Sequence, residues 1–355
     1  MSTDLLALPP PAARARIADW LAARGEPAYR LRQIVPRLWE RPLARWADAA
    51  ELPAALRAAL EEAFPLARLE LAAHQVSRDG TEKFLWKLRD GEAIESVLIP
   101  EGKRRTLCLS SQVGCALGCV FCATGLMGWR RNLSPGEIAG QVREVLLRDA
   151  TVKPTNVVFM GMGEPLLNWE QVDVALTILN HPEGLGIGAR HITVSTVGIV
   201  PHLAKLAARP EQFRLALSLH APTPALRLAL MPIEKKYGLP DVLAALRQFR
   251  RRVTLEYVLI GGQNDSLATA DALAALAGPL GALVNLLPLH PGGAPGLTPS
   301  PHAQMLAFER RLKRHGVNAV LRRSRGLDIS AACGQLRVEL GPRPKVRPQE
   351  HARVE

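Results

Sequence analysis

The sequence predicts an α/β protein. Parallel βα units close wholly or partly into a barrel, after a small helical domain and a short β-hairpin segment. Three observations carry this. Short β-prone runs alternate with helical stretches from about residue 106 onward, two Asp-Gly pairs punctuate the preceding segment, and apolar residues recur at helical spacing before that.

Residues 1–64 read as helical. In "ARARIADWLAARG" and "AYRLRQIVPRLWERPLARW" apolar residues fall on one face with arginines between them. Arg30, Arg32, Arg37, Arg41 and Arg45 are candidates for a nucleic-acid-facing surface, or for an ordinary solvated face. Residues 65–105 hold Asp79-Gly80 and Asp90-Gly91 between β-prone runs, a hairpin signal. Residues 106–336 carry the alternation, with candidate strands at 106–111, 156–160, 191–196, 213–220, 253–260, 282–288 and 318–324. Chemistry in such folds gathers at the C-terminal ends of the strands. Residues 337–355 are basic and Pro-rich, and a mobile tail is expected there.

Composition narrows the function classes. Lys and Arg number 45 against 33 Asp and Glu, for a net charge of +12. That excess favours a polyanionic partner, nucleic acid ahead of a membrane surface. No signal peptide is read at the N-terminus. The uncharged window 272–289 is long enough to span a bilayer, but Gly278-Pro279 breaks it into a helix end and a buried strand. Five cysteines, three of them clustered, do not resemble a secreted disulfide framework. A reducing cytoplasm and a metal centre are expected.

The cluster is "CALGCVFC", with Cys115, Cys119 and Cys122 spaced C-x3-C-x2-C. Structural zinc wants four ligands, usually in paired C-x2-C units, and a ferredoxin site wants four cysteines. Three thiolates on a four-iron cluster would leave one iron open to a small molecule. A zinc knuckle completed by Cys108 is the competing reading, but its spacing fits no usual zinc pair.

This spacing, with Phe121 before the last cysteine, resembles the radical S-adenosylmethionine (SAM) superfamily. "TLCLSSQVGCALGCVFCATG", "RRNLSPGEIAGQV", "NVVFMGMGEPLLN", "STVGIVP", "SLHAP" and "DISAACGQL" occur together and in order. As a set they resemble the RlmN and Cfr family of radical-SAM RNA methyltransferases over nearly the whole chain. The resemblance implies a partial (β/α)6-type TIM barrel, a 4Fe-4S cluster on Cys115, Cys119 and Cys122, and two SAM molecules per turnover. It implies cofactor contacts at Gly163, Glu164, Ser195, Ser218, Leu219, His220 and, where the family mostly carries Asn, His290.

It also implies a two-stage reaction. Cys333 is methylated by displacement, a radical formed from a second SAM activates that methyl group, and the carbon adds to adenine. Cys108 then resolves the adduct through a transient disulfide with Cys333, and Glu95 serves as proton acceptor. Burial would move Glu95 toward a useful pKa. The expected substrate is C2 of an adenine in 23S ribosomal RNA, with transfer RNA as a further substrate and a reductant such as flavodoxin. A cytoplasmic monomer with no membrane association is expected. C8 methylation, another radical-SAM activity and a non-enzymatic zinc RNA-binding protein are the alternatives.

Overall fold

A computed structural model describes residues 4–290, 296–336 and 338. The expected tail, apart from Val338, and the stretch after His290 lie outside them.

Twelve strands are found among the described residues: β1 (Glu70–Val76), β2 (Glu82–Lys87), β3 (Ala93–Glu101), β4 (Arg104–Cys108), β5 (Gln112–Gly114), β6 (Trp129–Asn132), β7 (Asn156–Phe159), β8 (Ile192–Thr196), β9 (Arg214–Ser218), β10 (Thr254–Leu259), β11 (Leu283–Pro288) and β12 (Asn318–Leu321). Ten of them form one sheet in the order β1-β2-β3-β4-β7-β8-β9-β10-β11-β12. From β4 to β12 every neighbouring pair is parallel, and helices such as Pro135–Arg148, Trp169–Asn180 and Leu267–Ala277 make the crossovers. This is the expected open, partial barrel.

Each candidate strand from 106 onward is present; β4 starts two residues early, at Arg104, and ends at Cys108, and the others are shortened by one to three residues. The window 272–289 divides as its Gly-Pro break implies, into the helix ending at Ala277 and β11. Among the described residues no helix is long and apolar enough to cross a membrane.

The hairpin segment is not a separate layer. β1, β2 and β3 pair antiparallel, with Asp79-Gly80 and Asp90-Gly91 in the turns, and β3 pairs antiparallel with β4. They extend the barrel sheet and put Glu95 on β3, one strand from the cysteine at the end of β4.

From the N-terminal part, the short helix Leu5–Ala7 packs on helix Pro135–Arg148. That helix begins with a reciprocal cap. Ser134 Oγ accepts from the Glu137 N–H at 3.2 Å, and the Glu137 carboxylate accepts from the Ser134 N–H at 2.8 Å. Its Arg143 is fully buried and donates from Nε to the Leu38 carbonyl at 2.9 Å and from Nη2 to that of Leu43. The guanidinium thereby satisfies backbone oxygens that would otherwise be buried without a donor.

Candidate active site

The site lies at the C-terminal ends of the parallel strands. β4 ends at Cys108, and the chain passes through β5 into the loop of Cys115, Cys119 and Cys122. The Cys115 N–H donates to the Gly128 carbonyl at 3.0 Å. A Cβ at Gly114 would come within 1.9 Å of that same oxygen, and its φ is +72°. Only glycine lets the loop close there. The Cys122 N–H donates to Cys119 O at 3.1 Å, and the Val120 N–H to Leu230 O at 3.1 Å, which fastens the loop to helix Pro224–Leu230.

All five cysteines are free thiols. Burial pushes Cys115 up to about 12, helped by the charges of Glu164 and Cys122. Burial also raises Cys119, with Cys122 and Cys115 adding to the shift. Among the described residues no three Cys, His, Asp or Glu side chains gather closely enough to hold a single metal ion. A zinc site needs its ligands within about 2.3 Å of one ion, whereas a cluster spreads its thiolates over separate irons. Three neighbouring cysteines, of which Cys115 and Cys119 resist ionisation when alone, fit a polynuclear cation that would draw them into thiolate ligation.

The turn after β7 is knitted to the cluster segment. Gly163 has φ +94°, and a Cβ on it would lie 2.5 Å from Gln112 Cβ. Gln112 Oε1 accepts from the Glu164 N–H at 2.8 Å. The Glu164 carboxylate accepts from the N–H groups of Leu166 at 3.0 Å and Val197 at 2.9 Å, joining the turn to the loop after β8. Burial raises it to about 7 against the lowering effect of Thr196 and these donors. The side chain of Glu164 is therefore a brace between this turn and the loop after β8.

Ser195 on β8 and Ser218 on β9 meet with their hydroxyls 3.4 Å apart. Leu219 and His220 follow directly, and their N–H groups donate to the Glu256 carbonyl at 3.0 and 3.3 Å. His220 has φ +56°, left-handed for a non-glycine residue. Its Nδ1 accepts from the Val258 N–H at 3.0 Å, so Nε2 carries the ring proton in the neutral form. Burial and the Arg227 charge bring its pKa down to about 3. The ring stands edge-on to Phe121 at 4.6 Å, linking the cluster loop to β9.

Cys333 is brought to the same place from the far end of the chain. The Ala123 N–H donates to Gly334 O at 2.8 Å and Thr124 Oγ to Leu336 O at 2.7 Å. On the other side, the β1–β2 turn holds the preceding segment. Asp79 accepts from the Gly326 N–H at 3.0 Å, and Asp328 accepts from Ser77 Oγ at 2.5 Å and the Arg78 N–H at 3.1 Å. Cys108 is buried and feels the charge of Cys333, which together with burial raises its pKa. Cys333 is open to solvent, yet the surrounding protein, with Glu256 and Cys122, pushes its thiol up to about 11.

Glu95 is buried on β3, with Lys83 Nζ 3.2 Å from its carboxylate. His290 is half-buried, and its Nε2 lies 2.6 Å from Ser324 Oγ. Burial lowers its pKa.

Sequence reasoning missed Lys83, Gln112, Arg227, Glu256 and Asn285. Glu256 is buried on β10, accepts from Asn285 Nδ2 at 3.0 Å, and is raised to about 7 by burial. A charged residue inside the run "VTLEYVLI" was the available signal. The five N-terminal arginines are mostly paired with partners inside residues 1–64. Arg37 pairs with Glu51 at 2.6 Å and Arg45 with Asp48 at 2.9 Å, while Arg30 and Arg41 have looser partners at 3.8 Å. Arg32 is exposed and has no ion pair among the described residues.

Comparison with known proteins agrees with this geometry. Residues 109–273 match the model of the Radical SAM superfamily. The chain is 57% identical over 352 residues to a probable dual-specificity RNA methyltransferase RlmN of Gemmatimonas aurantiaca, covering 99% of this chain and 98% of that protein. It is 47% identical to the dual-specificity RNA methyltransferase RlmN of an Anaeromyxobacter species, over 94% of this chain and 91% of that one. The crystal structure of a radical SAM methyltransferase from Sphaerobacter thermophilus superposes with a TM-score of 0.86 at 44% identity, over 91% of this chain and 97% of that one. With its partial barrel, its three-cysteine loop and these relatives, the chain belongs to the RlmN family of radical-SAM RNA methyltransferases.

Proposed function

We propose that the chain methylates C2 of an adenine in 23S ribosomal RNA, with transfer RNA as a second substrate, through a methylated Cys333. The observation that carries this reading is the convergence of Cys333 with Cys108 and Cys122, from three separate segments, at the mouth of the barrel.

Cys115, Cys119 and Cys122 would hold the cluster. The Gly163-Glu164 backbone, Ser195, Ser218, Leu219, His220 and His290 would hold SAM. When bound, the cluster and a second SAM supply one-electron cleavage chemistry that removes a hydrogen atom from the methyl group on Cys333. An adenine ring carbon is too poor a nucleophile to take a methyl group from a sulfonium directly, so the protein carries the carbon first. The Cys333 sulfur accepts the methyl group as the sulfonium C–S bond breaks and the thiol proton leaves. After the carbon bonds to the ring, the adduct gives up its unpaired electron, for which the bound cluster would be the acceptor, and Glu95 takes the proton from the methylated carbon. The Cys108 thiolate attacks the Cys333 sulfur, forming the S–S bond as the C–S bond to the base breaks, and the released carbon takes up a proton to become the methyl group. That attack needs a thiolate, and the buried Cys108 thiol needs a base to reach it.

The domain division 1–64, 65–105 and 106–336 is proposed with the first part reading RNA shape. We also propose two SAM per turnover, a reducing protein such as flavodoxin as donor, and a cytoplasmic monomer.

The test is tandem mass spectrometry of the Cys333 peptide after anaerobic reconstitution and exposure to methyl-labelled SAM, followed by nucleoside analysis of treated RNA. A labelled methyl group on Cys333 is expected, and an unmethylated Cys333 beside an intact cluster overturns the reading. The modified nucleoside separates C2 from C8. In the same assay Glu95→Ala should retain Cys333 methylation and stall product release.

A further inference from the structure

Arg227 is fully buried on helix Pro224–Leu230. Its Nη2 donates to the Val197 carbonyl at 2.6 Å, and its Nη1 donates to the Glu234 carboxylate and, at 3.3 Å, to Tyr237 O. Its Nε has no hydrogen-bond partner among the described residues. Glu234 is satisfied on its other oxygen by the Leu239 N–H at 2.8 Å. A buried ion pair is costly to desolvate, and an apolar pair of equal volume would pack as well. Its place in the fold supplies a reason for it. The helix that carries Arg227 is bonded at Leu230 to the cluster loop through the Val120 N–H, and Val197, which Arg227 holds, is held in turn by Glu164. Arg227 thus sits one helical turn from the Leu230 carbonyl that holds the cluster loop.

We propose that Arg227 is a fixed cation that raises the reduction potential of the cluster held by Cys115, Cys119 and Cys122, with Glu234 setting how much of its field the cluster feels. The inference rests on the family reading that a cluster is bound by those three cysteines. Reduction adds one electron and no proton to a cluster ligated by three thiolates. A buried positive charge nearby stabilises the reduced form, because net charge and local dielectric set cluster potentials. Arg227 acts through its field and its hold on neighbouring loops, so it is a positioning residue.

The experiment is a dithionite redox titration of anaerobically reconstituted full-length protein, read by electron paramagnetic resonance. It compares wild type, Arg227→Lys, Glu234→Gln and the double variant Arg227→Gln/Glu234→Gln, each with its iron content measured. Glu234→Gln keeps an acceptor for Leu239 and leaves the cation uncompensated, so its cluster should reduce more readily. The double variant removes both charges and should reduce less readily. Each change should be about tenfold in the reduced-to-oxidised ratio at fixed potential, which is ~59 mV for one electron. Arg227→Lys should stay near wild type. Wild-type potentials in either Gln variant at full iron load overturn the proposal. If the double variant does not bind iron, Glu234→Gln alone decides. A wild-type protein that binds no cluster refutes the family reading instead, so the two failures are distinguishable.

Discussion

Glu256 shows how a single buried carboxyl couples this fold to pH. It lies on β10 and accepts from Asn285 Nδ2, with Arg322 lowering its pKa and Cys333 close enough to sense it. Burial raises it from 4.5 to about 7 in the folded chain. Between those values the folded protein holds a proton that the unfolded chain has released. Its stabilising contribution is therefore complete below about pH 4.5 and is lost as pH rises through about 7. Glu256→Gln cannot ionise, so the apoprotein variant should lack this loss. Comparing denaturant unfolding at pH 5 and pH 8, wild type should lose up to ~3 kcal/mol more than the variant. Parallel pH profiles for the two proteins would remove Glu256 as the cause.

At the scale of elements, the β1–β2 hairpin works as a clamp on the segment carrying Cys333. Its turn is legible in the sequence as Asp79-Gly80, but its target is not. Hydrogen bonds from the Gly326 N–H to Asp79, and from Ser77 and Arg78 to Asp328, cross about 250 residues of chain, a separation no local pattern encodes. Burial would raise Asp79, but donors from Thr81, Gly326 and Ser77 outweigh it and hold the carboxyl at about 2. Asp79→Ala removes the acceptor and should loosen the loop by about 1 kcal/mol. Hydrogen exchange of the peptide 326–336 should quicken severalfold while β7 to β10 keep their protection. Unchanged exchange in that peptide would show that the Ala123 and Thr124 contacts suffice.

For the whole molecule, the decisive contact is between the N-terminal helices and the barrel. Eleven of the fourteen residues of Pro135–Arg148 are buried, including Arg143, whose acceptors Leu38 O and Leu43 O belong to the N-terminal part. Deleting residues 1–64 would strand that guanidinium and uncover the helix, a loss of several kcal/mol. The truncated chain should show no cooperative thermal transition by circular dichroism. A sharp transition near the wild-type Tm would mean that the barrel stands alone. Contact with RNA is better tested by Arg32→Glu in the full chain, since Arg32 is exposed and its removal breaks no ion pair among the described residues.

The order of strands and helices, the three-cysteine spacing and the family are legible in the chain alone. Alternation of β and helical periods and the C-x3-C-x2-C spacing are local, and local patterns survive in one dimension. Which distant groups share an environment emerges only once the chain is folded. It put Cys333 beside Cys108, Lys83 against Glu95, Glu256 in the barrel wall and Arg227 under the cluster loop. Each of these depends on burial and on chain segments meeting across the sheet. The energy of a buried charge is set by whatever surrounds it, and that is absent from any single stretch of residues.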